Sequence, residues 1–250
     1  MPRVQPCRKY EEYPIVEASE AVKRQRRNAG FTLIEAMIVV AIIGIVTATT
    51  FPSVSRYFET FAGRAAAKSV ADALNVARAQ AIRTGNNHIV FFAIETSPGN
   101  FAGDTAGTAL ADSNGGWVPM LVLNDGAPGS ANQNCEIDAG EERITFEPQD
   151  GVGWGSNAPS SSDNAPDDKL TTIPADGSSF QTPAGVVTTW VLFRPDGVPV
   201  AMDNACNTGR LGSGGGTIYL WTQNRDYAVT LSPLGGVRVH TWNPGGGWTS

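Results

Sequence analysis

A long apolar run near the N-terminus constrains this chain more than any other feature. Residues 31–51 contain a single charged side chain, that of Glu35. As a helix, a run of about 21 residues is long enough to cross the hydrocarbon core of a bilayer. We therefore predict a membrane segment here, and the rest of the chain must be compatible with it.

Residues 1–30 differ in charge from the remainder of the chain. They carry seven Lys and Arg against four Asp and Glu, which leaves eleven Lys and Arg against twenty Asp and Glu after residue 30, a net charge of −9. Under the positive-inside rule the basic end stays cytoplasmic, so the chain after the apolar run is translocated. A body this acidic is not expected to bind nucleic acid broadly. The basic residues closest to the apolar run are Lys23, Arg24, Arg26 and Arg27.

The helical pattern continues beyond the apolar run. Apolar residues recur three and four positions apart, which predicts a helix with one buried face. We expect a membrane half, residues 31–52, and an amphipathic half, residues 53–86. Pro52 predicts a kink between them, and Gly85 with the two asparagines after it predicts the helix end. The predicted buried positions are Val54, Phe58, Phe61, Ala65, Val70, Leu74, Ala77 and Ala81.

After residue 86 the pattern changes to short strand-like runs separated by Gly, Pro, Asn and Asp. Residues 87–250 therefore predict a β-rich globular head, and its last strands predict an antiparallel meander. Residues 150–185 offer little to bury and predict a long surface loop, and the glycine run 212–216 predicts a flexible connection. The predicted strands are 88–94, 117–123, 143–146, 186–193, 217–222, 227–232 and 237–242.

The three cysteines divide between the two parts of the chain. Cys7 lies in the basic segment, so removal of that segment leaves Cys135 and Cys206. In a translocated body we favour a disulfide between them over two separate thiols. Closing a loop of about 70 residues contributes about 4 kcal/mol by loop-entropy estimates if the bridge is unstrained.

Glu35 is the residue of the apolar run that most requires a partner. A carboxylate at mid-membrane costs about 2.5 to 3.5 kcal/mol, and less near an end. Cleavage after Gly30 exposes the α-amino group of Phe31, a cation about one helical turn from Glu35. We therefore treat Gly30, Phe31 and Glu35 as candidate site residues.

The hexapeptide Gly-Phe-Thr-Leu-Ile-Glu at residues 30–35, the basic cluster before it and the apolar helix resemble the class III signal of type IV pilins and type II secretion pseudopilins. The resemblance implies that residues 1–30 are a leader, that prepilin peptidase cuts between Gly30 and Phe31, and that Phe31 is N-methylated. It also implies that Glu35 pairs with the N-terminus of a neighbouring subunit and that Pro52 is the helix-kinking proline of many pilins. The leader is longer than in many pilins, and Ala36 stands where leucine is more common.

Two further stretches resemble the GspH/FimT group of minor pilins and pseudopilins. They are residues 73–83 with the strand after them, and residues 193–197 with the strands that follow; the resemblance does not extend to residues 97–185. The resemblance implies the pilin fold, an α+β fold in which a long N-terminal helix packs on an antiparallel β-rich head. It implies other pilins and the inner-membrane assembly platform as partners.

Two simpler explanations of the apolar run remain open. The first is an ordinary secretory signal, for which residues 46–48 supply the small residues of a cleavage site. The second is a plain single-pass anchor, which accounts for the basic cluster. The first leaves Glu35 and the continued helical pattern unexplained. The second leaves the hexapeptide unexplained.

The sequence shows no motif for catalysis, a cofactor or a metal. His88 and His240 are the only histidines, and there is no Cys-x-x-Cys, His-Glu-x-x-His or Gly-x-Ser-x-Gly pattern. Asp163, Asp167 and Asp168 lack the alternation of a calcium loop. We expect a structural protein, with no cofactor and no metal, rather than an enzyme.

The expected function is that of a minor pilin or minor pseudopilin. Its precursor would cross the inner membrane with the head in the periplasm, and the processed subunit would enter a type IV pilus or type II secretion pseudopilus near the tip and help to prime assembly. One alternative is a major structural pilin. Another is a DNA-binding minor pilin of an uptake pilus, whose candidate patch is Arg194, Arg210, Arg225 and Arg238.

Overall fold

The computed structural model describes residues 31–92, 120–135, 137–138, 140–146, 151–156, 165–166, 168, 173, 177–243 and 247–249. The predicted leader, residues 1–30, lies outside the described residues. The chain divides into two units, Met1–Ala48 and Thr49–Ser250.

One long helix, α1, runs from Leu33 to Thr84. Its first turn is capped by Thr32, whose Oγ1 accepts the Glu35 N–H at 3.2 Å. Its end is set by Gly85, which has a positive φ of 71° and donates its N–H to the Ala81 carbonyl at 3.0 Å. A left-handed residue at this position ends a helix, and glycine adopts it without a Cβ penalty.

Ten short β-strands follow the helix among the described residues. They form two five-stranded sheets in which every neighbouring pair is antiparallel. The strands are β1 His88–Phe92, β2 Met120–Asn124, β3 Arg143–Phe146, β4 Gly153–Trp154, β5 Trp190–Phe193, β6 Pro199–Val200, β7 Gly216–Trp221, β8 Asp226–Leu231, β9 Val237–Asn243 and β10 Gly247–Thr249.

The two sheets have different connectivity. The first has the order β3-β2-β1-β5-β6, so β1 pairs on one side with the strand that follows it and on the other with the distant β5. The second has the order β10-β9-β8-β7-β4. Strands β7 to β10 are consecutive neighbours, which confirms the predicted antiparallel meander. The α+β architecture, with a long helix on an antiparallel head, is confirmed as well.

The main core lies between the second half of the helix and both sheets. Alternate residues of the central strands face it, as Val90 and Phe92 do in β1 and Ile218 and Leu220 in β7. The intervening residues of β1 face a second apolar cluster on the other side of the first sheet. Because both faces of this sheet are covered, its central strands are continuously apolar rather than alternating.

The buried face of the helix begins later than predicted. Residues 63–84, here called the packed segment, bury Val70, Leu74, Ala77 and Ala81 as expected. In contrast, Val54, Phe58 and Phe61 are exposed, with 43%, 63% and 61% of their surface accessible. Apolar spacing indicates that a helix face is covered, but it does not indicate whether the cover is the chain's own head. The other buried helix residues are Ala66, Ala67, Ala71 and Ala73.

The described residues of 150–185 differ from the predicted surface loop. β4 pairs with β7, and Phe180 is buried in the main core. Two buried serines attach the segment to neighbouring backbone by hydrogen bonds. The Ser178 hydroxyl donates to the Thr188 carbonyl at 2.6 Å, and Ser179 Oγ accepts the Thr217 N–H at 2.8 Å. These polar side chains can be buried because backbone groups supply their hydrogen-bond partners.

The glycine run 212–216 is not the flexible connection that we predicted. Gly216 begins β7, and a Cβ on Gly214 would lie 2.3 Å from the backbone of Pro199 and Val200. The run therefore allows two stretches of backbone to pack closely, which requires residues without side chains.

Candidate functional site

The candidate site is the N-terminal part of α1. Every described side chain from residue 33 to 58, here called the exposed segment, is solvent-exposed. The described residues contain one helix long and apolar enough to cross a membrane. None of its most apolar stretch of 18 residues is buried. A helix that is apolar on all sides is stable only in lipid or against other apolar surfaces. The large exposed side chains include Leu33, Ile34, Met37, Ile38, Val39, Val40, Ile42, Ile43, Ile45, Val46 and Phe51.

The start of this segment places the candidate residues at one helix end. Phe31 is 81% exposed, and Glu35 lies in the first turn of the helix. Gly30 lies outside the described residues. A carboxylate in the first turn is favoured by the positive end of the helix dipole. The Thr32 hydroxyl accepts the Glu35 N–H, which is one of the two hydrogen bonds of a capping box. Residues 32–35 have the matching Thr-x-x-Glu pattern, which the sequence analysis missed.

One threonine of the exposed segment forms its hydrogen bond within the helix. The Thr47 hydroxyl donates to the Ile43 carbonyl four residues earlier at 2.7 Å. Such bonds let a threonine enter an apolar environment without a partner from outside the helix. Glu35 is therefore the only residue of the apolar run whose charge needs a partner from elsewhere.

A shallow apolar groove runs along one face of the exposed segment. It is lined by Leu33, Ala36, Met37, Val40 and Ala41. These positions recur three and four residues apart, so they share one helix face. The two alanines leave a depression between larger neighbours, which suits the side chains of another apolar helix.

The helix continues through Pro52 without interruption. The kink that we predicted at this residue stays a prediction.

The packed segment is joined to the head by close contacts around Tyr227. A Cβ on Gly63 would lie 2.2 Å from the Tyr227 ring, so the helix backbone rests directly on the aromatic side chain. The Tyr227 hydroxyl donates to the Thr60 carbonyl at 3.1 Å, and burial raises the pKa of this tyrosine. Further along the helix, the Arg78 guanidinium donates to the Gly235 carbonyl at 2.9 Å.

Cys135 and Cys206 form a disulfide in the structure, with their Cα atoms 5.6 Å apart. The bridge lies in the second apolar cluster, on the face of the first sheet opposite the helix. Beside it lies Asp125, a fully buried residue that the sequence analysis missed because an aspartate before a glycine is typical of a turn. Burial raises the pKa of the Asp125 carboxyl to about 7.

The acidic residues do not form a cation site in the described part of the chain. Donor atoms of Asp125, Cys135 and Cys206 lie within 4.8 Å of one another, but the two sulfurs are bonded to each other. Asp168 accepts hydrogen bonds from the Ser179 and Tyr219 hydroxyls, so it anchors its segment to the second sheet. Asp163 and Asp167 lie outside the described residues.

The candidate arginine patch is divided by the fold. Arg225 directly precedes β8, whereas Arg238 is paired across from Thr230 near the other end of that strand. Five strand residues span about 13 Å or more, so the backbone positions of these two arginines are well separated on the sheet. Arg194 forms an ion pair with Asp196 at 3.2 Å.

The two histidines lie in different sheets. His88 begins β1, where burial lowers its pKa, and His240 is buried in β9. They are not brought together as an acid–base pair.

Residues 25–51 match the family model of the prokaryotic N-terminal methylation motif, which covers the signal and the start of the exposed segment. No curated protein and no solved structure matches the chain. Together, the motif and the apolar helix fit a membrane-anchored precursor, and the motif suggests a structural rather than a catalytic protein. The motif and the fold support the type IV pilin-like superfamily, as the resemblance in the sequence predicted.

Proposed function

We propose that this chain is a minor pilin or minor pseudopilin of the GspH/FimT group. Prepilin peptidase cleaves the bond between Gly30 and Phe31, Phe31 is N-methylated, and the processed subunit enters a type IV pilus or type II secretion pseudopilus. Before assembly the head lies in the periplasm. In the filament the subunit lies near the tip and helps to prime assembly.

One observation carries the proposal. The methylation motif leads directly into a helix whose first part is apolar and exposed on all sides, while one face of its later part is buried against its own head. In lipid the exposed segment is stable as an anchor. It is equally stable against equivalent helices, so the same surface serves the precursor and the filament.

Glu35 supplies the polar element of this mechanism. In the bilayer its carboxylate is costly, and in the filament it pairs with the α-amino group of a neighbouring subunit. Both groups are then neutralised in an apolar surrounding where a charge-assisted hydrogen bond is strong. Glu35→Ala is therefore expected to be processed normally and to fail to enter the filament.

Quantitative mass spectrometry of sheared filaments from the native cell tests the proposal. Peptides from residues 177–243 are expected at a small fraction of the most abundant pilin, and deletion of the chain should reduce the number of filaments. A dominant share of the filament would identify a major pilin instead. Filaments that lack the chain and form normally without it would contradict the proposal.

A further inference from the structure

The disulfide is asymmetric in its access to solvent. Cys135 is fully buried, whereas Cys206 is only partly buried. Cys206 lies in an exposed turn that is held by Asp203, whose carboxylate accepts the N–H groups of Ala205 and Asn207 at 3.0 and 2.8 Å. Of the two cysteines, Cys206 is therefore the one that a small solute reaches more easily.

The buried Cys135 has a carboxyl group beside its sulfur. Asp125 Oδ1 accepts the Cys135 N–H at 2.7 Å, and Asp125 Oδ2 lies 3.8 Å from Cys135 Sγ. Among the described His, Asp and Glu residues, Asp125 is the one whose carboxylate oxygen lies within 4.8 Å of both sulfurs. A thiolate released here would form in an apolar cluster next to a carboxyl group, where only protonation makes it stable.

We propose that the Cys135–Cys206 bridge is a thiol–disulfide exchange site, in which a small thiol attacks Cys206 and Asp125 supplies a proton to the departing Cys135 sulfur. The exchange is an activity of the head and does not depend on its place in a filament.

The step balances as an exchange of one disulfide for another. The thiolate sulfur of the small thiol bonds to Cys206 Sγ, and the bond between Cys206 Sγ and Cys135 Sγ breaks. The electron pair of that bond goes to Cys135 Sγ, which takes the proton of the Asp125 carboxyl group. The small thiol is thereby oxidised to a mixed disulfide, Cys135 is reduced to a thiol, and Asp125 is left as a carboxylate. The reverse sequence closes the bridge, with Asp125 as the proton acceptor.

The surroundings keep a proton on Asp125 near neutral pH. Burial is the largest cause of its raised pKa, and the nearby carboxylates of Glu141 and Asp138 raise it further. The N–H groups of Cys135 and Asn134 act in the opposite direction, because they stabilise the carboxylate. With a pKa of about 7, Asp125 is mostly protonated at pH 6 and mostly ionised at pH 8.

A purely structural role for Asp125 makes a different prediction. If Asp125 only holds the loop through the Cys135 N–H, then Asp125→Asn keeps the accepting oxygen and should behave like the wild type. In the proposed role the same variant loses the carboxyl proton. It therefore separates the two roles without removing the hydrogen bond.

The first experiment identifies the sulfur that is attacked. The full-length chain in detergent is incubated with reduced glutathione without denaturant, quenched in acid, and digested for peptide mass mapping. Glutathione is expected on Cys206, with Cys135 as the free thiol. Glutathione on Cys135, or equally on both, would contradict the proposal. This test needs no variant, so it decides even if Asp125→Asn fails to fold.

The second experiment follows the rate of mixed-disulfide formation from pH 6 to pH 8, divided by the concentration of glutathione thiolate. For the wild type this rate should fall about tenfold, because the protonated share of a group with a pKa near 7 falls by that factor. For Asp125→Asn it should be nearly flat. A flat wild-type profile, or an equal fall in the variant, would overturn the role given to Asp125.

Discussion

The exposed segment and the packed segment belong to one helix but are built for different surroundings. The exposed segment presents large Ile, Val, Leu, Met and Phe side chains on every side, with Glu35 as the one charge of its apolar run. The packed segment buries mainly alanines and keeps charged residues such as Arg64, Lys68 and Asp72 on its outer side. Small residues let the helix backbone approach the sheets closely, whereas large ones cover a helix that meets lipid or other helices.

This difference explains how one continuous element serves two purposes. Changes in the packed segment should alter the stability of the head and leave the membrane anchor intact. Changes in the exposed segment should alter assembly and leave the stability of the head intact. Each of the following variants tests that separation.

The largest effect on assembly is expected for Glu35→Gln, which removes the single charge of the apolar run with little change of shape. A charge-assisted hydrogen bond contributes about 1.5 to 3 kcal/mol, so its loss should reduce incorporation into filaments by at least about tenfold. Processing should be unchanged. The measurement compares the amount of the chain in sheared filaments with the amount of processed chain in membranes.

Glu59→Gln is the matched control on the same helix, because Glu59 contacts the Asn224 side chain of its own head. It should enter filaments normally. Normal incorporation of Glu35→Gln would contradict the proposed pairing of Glu35 with a neighbouring N-terminus.

Leu74→Ala should have the largest effect on the stability of the head. Leu74 is fully buried in the main core, and truncation of a buried leucine costs about 2 to 5 kcal/mol of unfolding free energy. Urea unfolding of the purified chain, followed by tryptophan fluorescence, measures the loss. Leu33→Ala makes the same chemical change in the exposed segment, where Leu33 is 78% exposed, and should leave the urea midpoint unchanged. Equal midpoint shifts for the two variants would contradict the separation.

The two glycines of the helix give a second comparison, with a smaller expected loss of stability in the packed segment and none in the exposed segment. Gly63→Ala places a methyl group against the Tyr227 ring and should cost about 1 to 3 kcal/mol. A Cβ on Gly44 meets nothing within 4 Å, so Gly44→Ala should leave the head as stable as before. The same urea titration applies. If Gly63→Ala is neutral, the helix does not pack on Tyr227 as closely as described.

The smallest effect is expected for Tyr227→Phe. It removes the hydrogen bond to the Thr60 carbonyl while keeping the ring, which should cost about 0.5 to 1.5 kcal/mol. Tyr57→Phe is the control, since Tyr57 is 69% exposed on the same helix. Thermal unfolding measures the stability of both variants. A loss of stability in Tyr57→Phe alone would contradict the division of the helix into an exposed and a packed segment.

The features that could be predicted from the sequence are those set by local patterns. The apolar run, its single acid and the hexapeptide are contiguous, so they indicate the signal and the helix without knowledge of the fold. Strands such as β3 and the β7 to β9 meander were predictable for the same reason, because alternating or continuous apolar runs mark them directly.

The remaining features depend on residues far apart in the chain. The buried face of the helix begins where Gly63 meets Tyr227, and no pattern within the helix marks that position. β4 and β6 have two residues each, too few to show an alternating apolar pattern. They form because they pair with the edges of β7 and β5. Asp125 is a turn residue by its neighbours in sequence, and its burial beside Cys135 follows from contacts with residues outside that turn.

The central claim is that one helix leaves the membrane for a filament after its basic leader is removed. The most direct measurement is the mass of the N-terminal peptide of the chain in purified filaments. It should begin at Phe31 and carry the added mass of a methyl group. A peptide that begins at Thr49, or one that still carries the leader from Met1, would contradict the account.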